Sequence, residues 1–427
     1  MNNDTQKSKP RTRPFLCGGE KLTQDREQKL LLAALFFGTL LSAAAVILYL
    51  LFAYASLSAG SQENNWLLGV FSDFAYIMDV SLKHSPYVAE NSSYPPLAIA
   101  VLYPFALICK GTLEKYANIE LSADELTAKL LVDGTFWLSL VLFVAICTAA
   151  IVTVAVKLYG HGRLNKLTLG LIIVLGAPFI FTAMRGNTIY FALIFTLLFL
   201  LFYNNERACL RELGYLCLVI AGLIKIYPLF FGVFLLHEKR FLAAARVAAY
   251  SVLGFFLSFY LFGGAYDISP FFSNLASFAS DKARLAAQNN LSLSSFCGKV
   301  IALLFPNAES GVVDTVIAVF VLTAFILATL TATATRSNFS RSVIAAGVVI
   351  LVPTVSYFYT LIFTIIPFGY LLCKRDILSR WARTIYFVIF GFLFFTPALL
   401  FQNYLLHTLC VTTLAATECI RVIKEKV

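Results

Sequence analysis

Residues 315–335 read TVIAVFVLTAFILATLTATAT, a stretch without a single charged side chain. A helix needs about 20 apolar residues to cross the hydrocarbon core of a bilayer, so this stretch is long enough to span a membrane. Apolar and polar residues do not alternate along it, as they would in a strand of a membrane barrel. The stretch therefore predicts a transmembrane helix, because every backbone group must be hydrogen-bonded within the segment itself.

Three more uncharged stretches of similar or greater length lie elsewhere in the chain, at residues 30–55, 247–264 and 342–373. Of all 427 residues, 59% are hydrophobic and 13% are charged, which excludes an ordinary soluble domain. We therefore predict an all-α polytopic integral membrane protein with roughly 10 to 13 transmembrane segments, some of them broken or half-helices.

The formal net charge of +10 comes from basic residues that stand in short clusters between the apolar stretches. Clusters of this kind mark cytoplasmic loops of membrane proteins, so we expect a lipid bilayer and no nucleic acid as the partner. This pattern places residues 1–29 in a basic cytoplasmic tail and residues 421–427 in a second one. Residues 30–420 then form one transmembrane domain, with outer loops at 56–95 and 265–299.

Two apolar segments have basic loops at both ends, which a single crossing does not allow. Pro228 lies in the first of them, at residues 213–236, and Pro353 lies in the second, at residues 342–373. Proline removes a helix hydrogen bond, so we predict that both segments are broken into half-helices that line a protein cavity. The number of crossings in residues 97–156 stays open.

Asp73 follows the first apolar stretch and stands among aromatic residues in the predicted outer loop. A carboxylate in such a setting can take a proton from a sugar hydroxyl, the general-base step of glycosyl transfer. Asp is also a frequent residue just before a helix, and an N-cap is the alternative interpretation. Local residues alone leave both open.

Lys225 is the one charged residue within the apolar segment 213–236. An uncompensated charge costs at least ~2.5 kcal/mol at the centre of a bilayer, so an anion is its expected partner, and a lipid phosphate qualifies. The alternatives are a lysine that reaches the membrane surface and an ion pair with Asp133. Arg185 resembles Lys225 but stands nearer the edge of its apolar segment.

Weaker candidates complete the predicted site. Asn290 and Ser292 carry groups suited to sugar hydroxyls, although a solvated loop explains them as well, and Tyr357 belongs either to a cavity wall or to an interfacial aromatic belt. The four histidines and nine cysteines show no spacing typical of metal ligands. We therefore expect no metal and no cofactor.

Several short motifs follow one another in order along residues 30–375, and in that order the chain resembles glycosyltransferase family 87. This family belongs to the GT-C superfamily and includes membrane mannosyltransferases that use polyprenyl-phosphate-mannose. The matching residues are Asp73-Phe74 with Tyr76, Ser85-Pro86-Tyr87, Tyr94-Pro95-Pro96, Gly186-Asn187, Gly222 with Lys225 and Pro228, Lys239-Arg240, and Asn290-Leu291-Ser292-Leu293.

The resemblance implies a GT-C-type helical bundle with its active site on the outer face of a cell membrane, such as the bacterial cytoplasmic membrane. It implies one inverting transfer of a hexose such as mannose from a polyprenyl-phosphate donor to a lipid or glycan acceptor. Asp73 would be the catalytic base, while Lys225 and Arg185 would bind the donor phosphate. Substrate contacts would come from Tyr76, Tyr87, Tyr94, Asn187, Asn290, Ser292 and Tyr357.

The chain departs from the family pattern at two places. Leu291 precedes Ser292 where the family usually has Gln, and Tyr357 and Tyr359 stand where Trp and His are common. A transporter or lipid flippase would also use intramembrane charges and broken helices, and a structural subunit of an envelope complex is a third interpretation. Replacement of Asp73 by Asn separates these, since only an enzyme needs the carboxylate.

Overall fold

The computed structural model describes residues 66–116, 123–307, 309–373, 378–395 and 404–425, together with positions 119 and 121 and scattered positions between 29 and 51. The predicted cytoplasmic tail at 1–29, the beginning of the first outer loop and most of the first apolar stretch lie outside these residues. Within the described ranges the chain forms α-helices and short 3-10 helices and no strand. The prediction of an all-α membrane protein is confirmed.

The helices follow one another with short connections. In chain order they are α1 Trp66–Ser81, α2 Pro86–Ala89, α3 Pro96–Ala100, α4 Tyr103–Ile108, α5 Lys110–Tyr116, α6 Ala123–Leu130, α7 Gly134–Tyr159, α8 Gly162–Leu175, α9 Ala177–Arg185, α10 Ile189–Phe202, α11 Ala208–Ile224, α12 Val233–His237, α13 Phe241–Ser258, α14 Ile268–Ser280, α15 Lys282–Ala286, α16 Leu293–Leu304, α17 Ser310–Ala334, α18 Asn338–Leu351, α19 Ile365–Cys373, α20 Arg380–Phe395 and α21 Leu405–Lys424. The 3-10 helices are Tyr227–Gly232, Phe259–Leu261, Gly264–Asp267 and Phe358–Thr364.

Four described helices are long and apolar enough to cross a membrane, namely α7, α13 with the 3-10 turn after it, α17 and α21. The count rises to 6 when two bent pairs of helices are each taken as one span. Six shorter apolar helices of 10–17 residues accompany them. The larger number of segments expected from the sequence stays a prediction.

The centre of the bundle is formed by α18, the 3-10 helix Phe358–Thr364 and α19. From Phe339 to Leu351 and again from Phe358 to Cys373, every residue is buried. Helix α21 packs along α18, and α10 packs along α11 beside it. A helix that is apolar on all sides and buried on all sides is shielded from lipid by its neighbours, which explains its position in the core.

Both predicted helix breaks are present. Helix α11 ends at Ile224, Lys225 has extended backbone, and the chain resumes as a 3-10 helix with Pro228 in its first turn. Helix α18 ends at Leu351, and residues 352–357 separate it from the next 3-10 helix, with Pro353 inside this break. Both breaks follow from the missing N–H of proline and its clash with the preceding turn.

Caps and bends interrupt the apolar helices of residues 97–185. Helix α7 begins at Gly134, because Asp133 caps its first turn. Helices α8 and α9 meet at an angle of 43°, with Pro178 in the first turn of α9. Within residues 97–156, where the sequence left the number of crossings open, the chain bends by 102° where α5 begins.

The turn between α9 and α10 is tight and has Gly186 as its central residue. Gly186 adopts a left-handed conformation with φ 57°, and a Cβ added there would lie 2.4 Å from Cβ of Phe74. Glycine is therefore needed at this position for two reasons: the left-handed turn and the close approach of α1 to it.

We predict that Gly186→Ala lowers the free energy of unfolding by about 2 kcal/mol or more, because the left-handed backbone and the contact with Phe74 both penalise a methyl group. Unfolding in mixed micelles measures the effect. Gly311→Ala is the matched control, since nothing lies within 4 Å of its added Cβ. Equal stability of the two variants would contradict the close packing of α1 on the turn.

Candidate functional site

Asp73 lies in the middle of α1 and not before its first residue, so the N-cap interpretation is wrong. The helix is fixed by fully buried neighbours of Asp73, among them Phe74, Ala75 and Met78. Asp73 lies with Ser72 and Tyr76 on the less buried side of the helix, which lines a cavity, and 13% of its side chain is exposed. Burial of the rest of the helix thus determines where the carboxylate points.

Three hydrogen bonds hold the Asp73 carboxylate. Arg185 donates from Nη2 to Oδ1 at 2.5 Å and from Nε to Oδ2 at 3.0 Å. Asn187 donates from Nδ2 to Oδ2 at 2.8 Å, while its own Oδ1 accepts from the backbone N–H of Ile189 at 3.0 Å. A carboxylate has about four acceptor positions, so one position on Oδ1 is left over by these bonds.

Lys225 stands where α11 ends, and its Nζ lies 4.4 Å from the ring centroid of Tyr94. The extended backbone of the break turns this side chain into the cavity that Asp73 also lines. No carboxylate lies within ion-pairing distance of Lys225 among the residues that the structure describes. The ring face supplies a weak cation–π attraction but no counter-charge.

The predicted alternative of an ion pair between Lys225 and Asp133 is wrong. Asp133 accepts hydrogen bonds from Thr112 Oγ1 at 2.5 Å and from the backbone N–H of Thr135 at 2.7 Å, as the N-cap of α7. These bonds, that of Thr112 first, lower the pKa of Asp133 to about 2. Its acceptor positions are used locally, which explains why it does not reach another helix.

One large cavity of about 1490 Å³ contains Asp73, Arg185 and Lys225 together. Its other part is lined by apolar side chains of α11, α13, α14 and the 3-10 helix after Lys225: Leu223, Ile226, Leu229, Val252, Phe255, Phe256, Phe271, Phe272, Leu275 and Phe278. The lining therefore combines charged groups with a large set of apolar side chains, the combination that an amphipathic ligand requires.

Tyr76, Tyr94 and Tyr357 line this cavity, as three of the predicted substrate residues. The hydroxyl of Tyr76 donates to the backbone carbonyl of Glu90 at 3.1 Å. Burial raises the pKa of the Tyr76 and Tyr94 hydroxyls, so both stay neutral. Neutral phenols offer hydrogen bonds and ring faces without adding charge.

The other predicted substrate residues do not line the cavity. Tyr87 is buried and donates to the carbonyl of Tyr94 at 3.1 Å, and Asn187 is buried behind Asp73. Ser292 caps α16 by accepting from the N–H of Ser295. Asn290 bonds the carbonyl of Thr354 at 3.0 Å and the N–H of Ser356 at 3.0 Å. These four side chains hold the walls in place.

A comparison with protein-family models finds that residues 93–356, more than half of the chain, match glycosyltransferase family 87. The chain belongs to this family. No curated protein matches the chain. Family 87 membership and the apolar helices together make the protein a multi-pass membrane glycosyltransferase. It follows that the enzyme has a sugar donor and an acceptor.

The family 87 match includes Arg185, Asn187 and Lys225, whereas Asp73 stands before its first residue. The ion pair therefore joins the matched segment to the helix that precedes it. Sequence reasoning assigned Arg185 to the donor phosphate because a pattern along one chain shows a cation without showing its partner. Its separation from Asp73 by more than a hundred residues hid the pair.

Two further residues line the large cavity. Tyr359 lies beside Tyr357 in the same aromatic run, with ring centroids 5.8 Å apart. Arg284 lines the cavity from α15, bonded to Asp281 at 2.9 Å and stacked over Phe278 at 4.4 Å, and sequence reasoning missed it. Its signal was an i, i+3 charge pair, a pattern that is common on helices that carry no site. No group of three or more His, Cys, Asp or Glu suited to a metal occurs in the described part of the chain.

Proposed function

We propose that the protein transfers one sugar from a polyprenyl-phosphate carrier to a hydroxyl of a lipid or glycan acceptor, with inversion at the anomeric carbon. The observation that supports this proposal best is the lining of the large cavity, which combines a carboxylate and a cation without an ion-pair partner with many aromatic and aliphatic side chains. A lipid monophosphate sugar likewise combines a charged head with an apolar chain.

Asp73 is the proposed general base. The open acceptor position on Oδ1 receives the hydrogen bond of the attacking hydroxyl, while Arg185 and Asn187 keep the carboxylate from rotating. The acceptor oxygen then forms a bond to the anomeric carbon as its proton passes to Asp73. Arg185 is thus a positioning residue in this proposal, because its guanidinium is already bound to the base.

Lys225 is the proposed site for the donor phosphate. As the bond from the anomeric carbon to the phosphate oxygen breaks, the electron pair stays on that oxygen and negative charge grows there. A fixed cation in a cavity with little water stabilises such charge strongly. The aromatic wall of α13 and α14 receives the carrier chain, and the resemblance to mannosyltransferases makes mannose the first sugar to try.

Asp73→Asn tests the base directly. We expect the rate of transfer from polyprenyl-phosphate-mannose to membrane lipids to fall by about 10² to 10⁴-fold, the usual share of a general base. Asp79→Asn is the matched control, since Asp79 lies on the same helix and pairs with Lys83 at 3.5 Å outside the cavity. Gel filtration of each variant verifies folding. A wild-type rate of transfer in Asp73→Asn would reject Asp73 as the base, whereas no transfer by the wild-type protein itself would favour a transporter.

Lys225→Met tests the phosphate site. We expect kcat/KM for the donor to fall about 10²-fold or more, with little change in thermal stability, because no described carboxylate loses an ion pair. Lys83→Met should keep its kcat/KM, because Lys83 does not line the cavity and pairs with Asp79 and with the cavity residue Glu90. A large loss of stability together with an unchanged kcat/KM would give Lys225 a structural role instead.

We place the cavity at the outer face of the membrane, since the basic clusters stand at the predicted inner ends of the helices. In a Cys209→Ser background, a membrane-impermeant maleimide added to intact cells should label Asn91→Cys, because exposed Asn91 lines the cavity. The exposed position of Lys157→Cys should react only after permeabilisation. The reverse pattern would place the reaction inside the cell.

A further inference from the structure

A second, smaller cavity of about 180 Å³ lies beside the first. Its lining residues are Phe181, Arg185, Asn289, Tyr357, Tyr359 and Tyr404. Arg185, Tyr357 and Tyr359 line both cavities and so form the wall between them. The small pocket therefore begins next to the ion pair that holds the proposed base.

The chemistry of this pocket is that of a neutral polar ligand. Three phenols and a carboxamide supply hydrogen-bond donors and acceptors, and the rings of Phe181 and the tyrosines supply apolar faces. Its single cation, Arg185, is already neutralised by Asp73. An anion would therefore gain little binding free energy in this pocket, in contrast to a site beside Lys225. A polyol would find several hydrogen-bond partners.

The size of the pocket limits the ligand further. At ~30 Å³ for each water molecule, the volume corresponds to about six waters, which is room for one sugar ring and not for a carrier chain. The large cavity, with its many apolar side chains, has room for a chain instead.

The pocket is built from four chain segments, and backbone hydrogen bonds tie three of them together. Asn290 bonds the backbone of residues 354 and 356, and the N–H of Leu291 bonds the carbonyl of Ser356 at 2.7 Å. The N–H of Tyr404 bonds the carbonyl of Gln288 at 3.3 Å. These bonds place Asn289, Tyr357 and Tyr404 at fixed positions, as a specific binding site requires.

We propose that this pocket binds a single pyranose ring and selects which sugar the enzyme handles. The proposal rests on the proposed function, because a glycosyltransferase brings a sugar ring next to its base. The ring belongs either to the donor or to the acceptor, and both sources present the same hydroxyl-rich surface. Tyr404 and Asn289 are the residues that discriminate among sugars without contacting the donor phosphate.

Saturation-transfer NMR on the full-length protein in nanodiscs tests the pocket, with the methyl α-glycosides of mannose, glucose and galactose as probes. We expect at least one glycoside to bind, with a dissociation constant about 3- to 10-fold higher in Tyr404→Phe and Asn289→Ala, the effect of one lost hydrogen bond. Asn289 is exposed at the surface, so its variant keeps the fold. Tyr266→Phe, 89% exposed and outside both cavities, is the control and should bind as the wild type does.

Transfer kinetics of the same variants identify the source of the ring: a higher donor KM assigns it to the donor, and a higher acceptor KM assigns it to the acceptor. Binding of glycosides needs no catalysis, so a protein that binds them in this pocket but transfers no sugar would refute the proposed function alone. No glycoside binding, or equal dissociation constants in wild type, Tyr404→Phe and Asn289→Ala, would overturn the pocket.

Discussion

The hydrogen bonds between Asp73, Arg185 and Asn187 stabilise two charged groups inside an apolar helical bundle. An unpaired carboxylate with 13% of its side chain exposed would be costly, and an unpaired guanidinium beside it would cost as much again. Bidentate pairing removes most of that penalty and also fixes the two groups in one orientation. The pair also constrains the backbone, because it forms only if α1 packs closely on the turn after α9. Gly186 in that turn leaves room for Phe74 of α1.

The three cations of the large cavity differ in whether a carboxylate already balances their charge. Arg185 is bound to Asp73 and Arg284 to Asp281, so each has a counter-charge before any ligand arrives. Lys225 has the face of Tyr94 instead. A phosphate would therefore gain most at Lys225, which is held at the helix break that Pro228 follows. The break that ends α11 thus positions the ammonium group of Lys225. This agrees with the rule that irregular backbone at membrane depth lines a cavity.

The sequence alone predicted those features of the fold that depend only on residues close together in the chain. Apolar stretches longer than a bilayer is thick indicated the all-α membrane class, and Pro228 and Pro353 indicated where helices break. The roles of Arg185, Asn290 and Asp133 depend on which groups packing brings near, and no periodicity carries that information. Asn290 has the composition of a sugar-binding residue, but its hydrogen bonds are used between two segments of the wall. Asp133 lies near an apolar segment, but Thr112 of α5 and the first turn of its own helix α7 use its oxygens.

The position of the family match bears on how Asp73, the proposed base, is oriented. Residues 93–356 contain the arginine and the asparagine of the site but not the carboxylate that they bind. The left-handed turn at Gly186 presents both donors from one side, to a point that an incoming anion can reach. The turn therefore binds the Asp73 carboxylate of α1, and one acceptor position on Oδ1 is left over. A base whose orientation is set by a neighbouring segment loses little entropy when the acceptor binds, because its rotation was stopped when the protein folded.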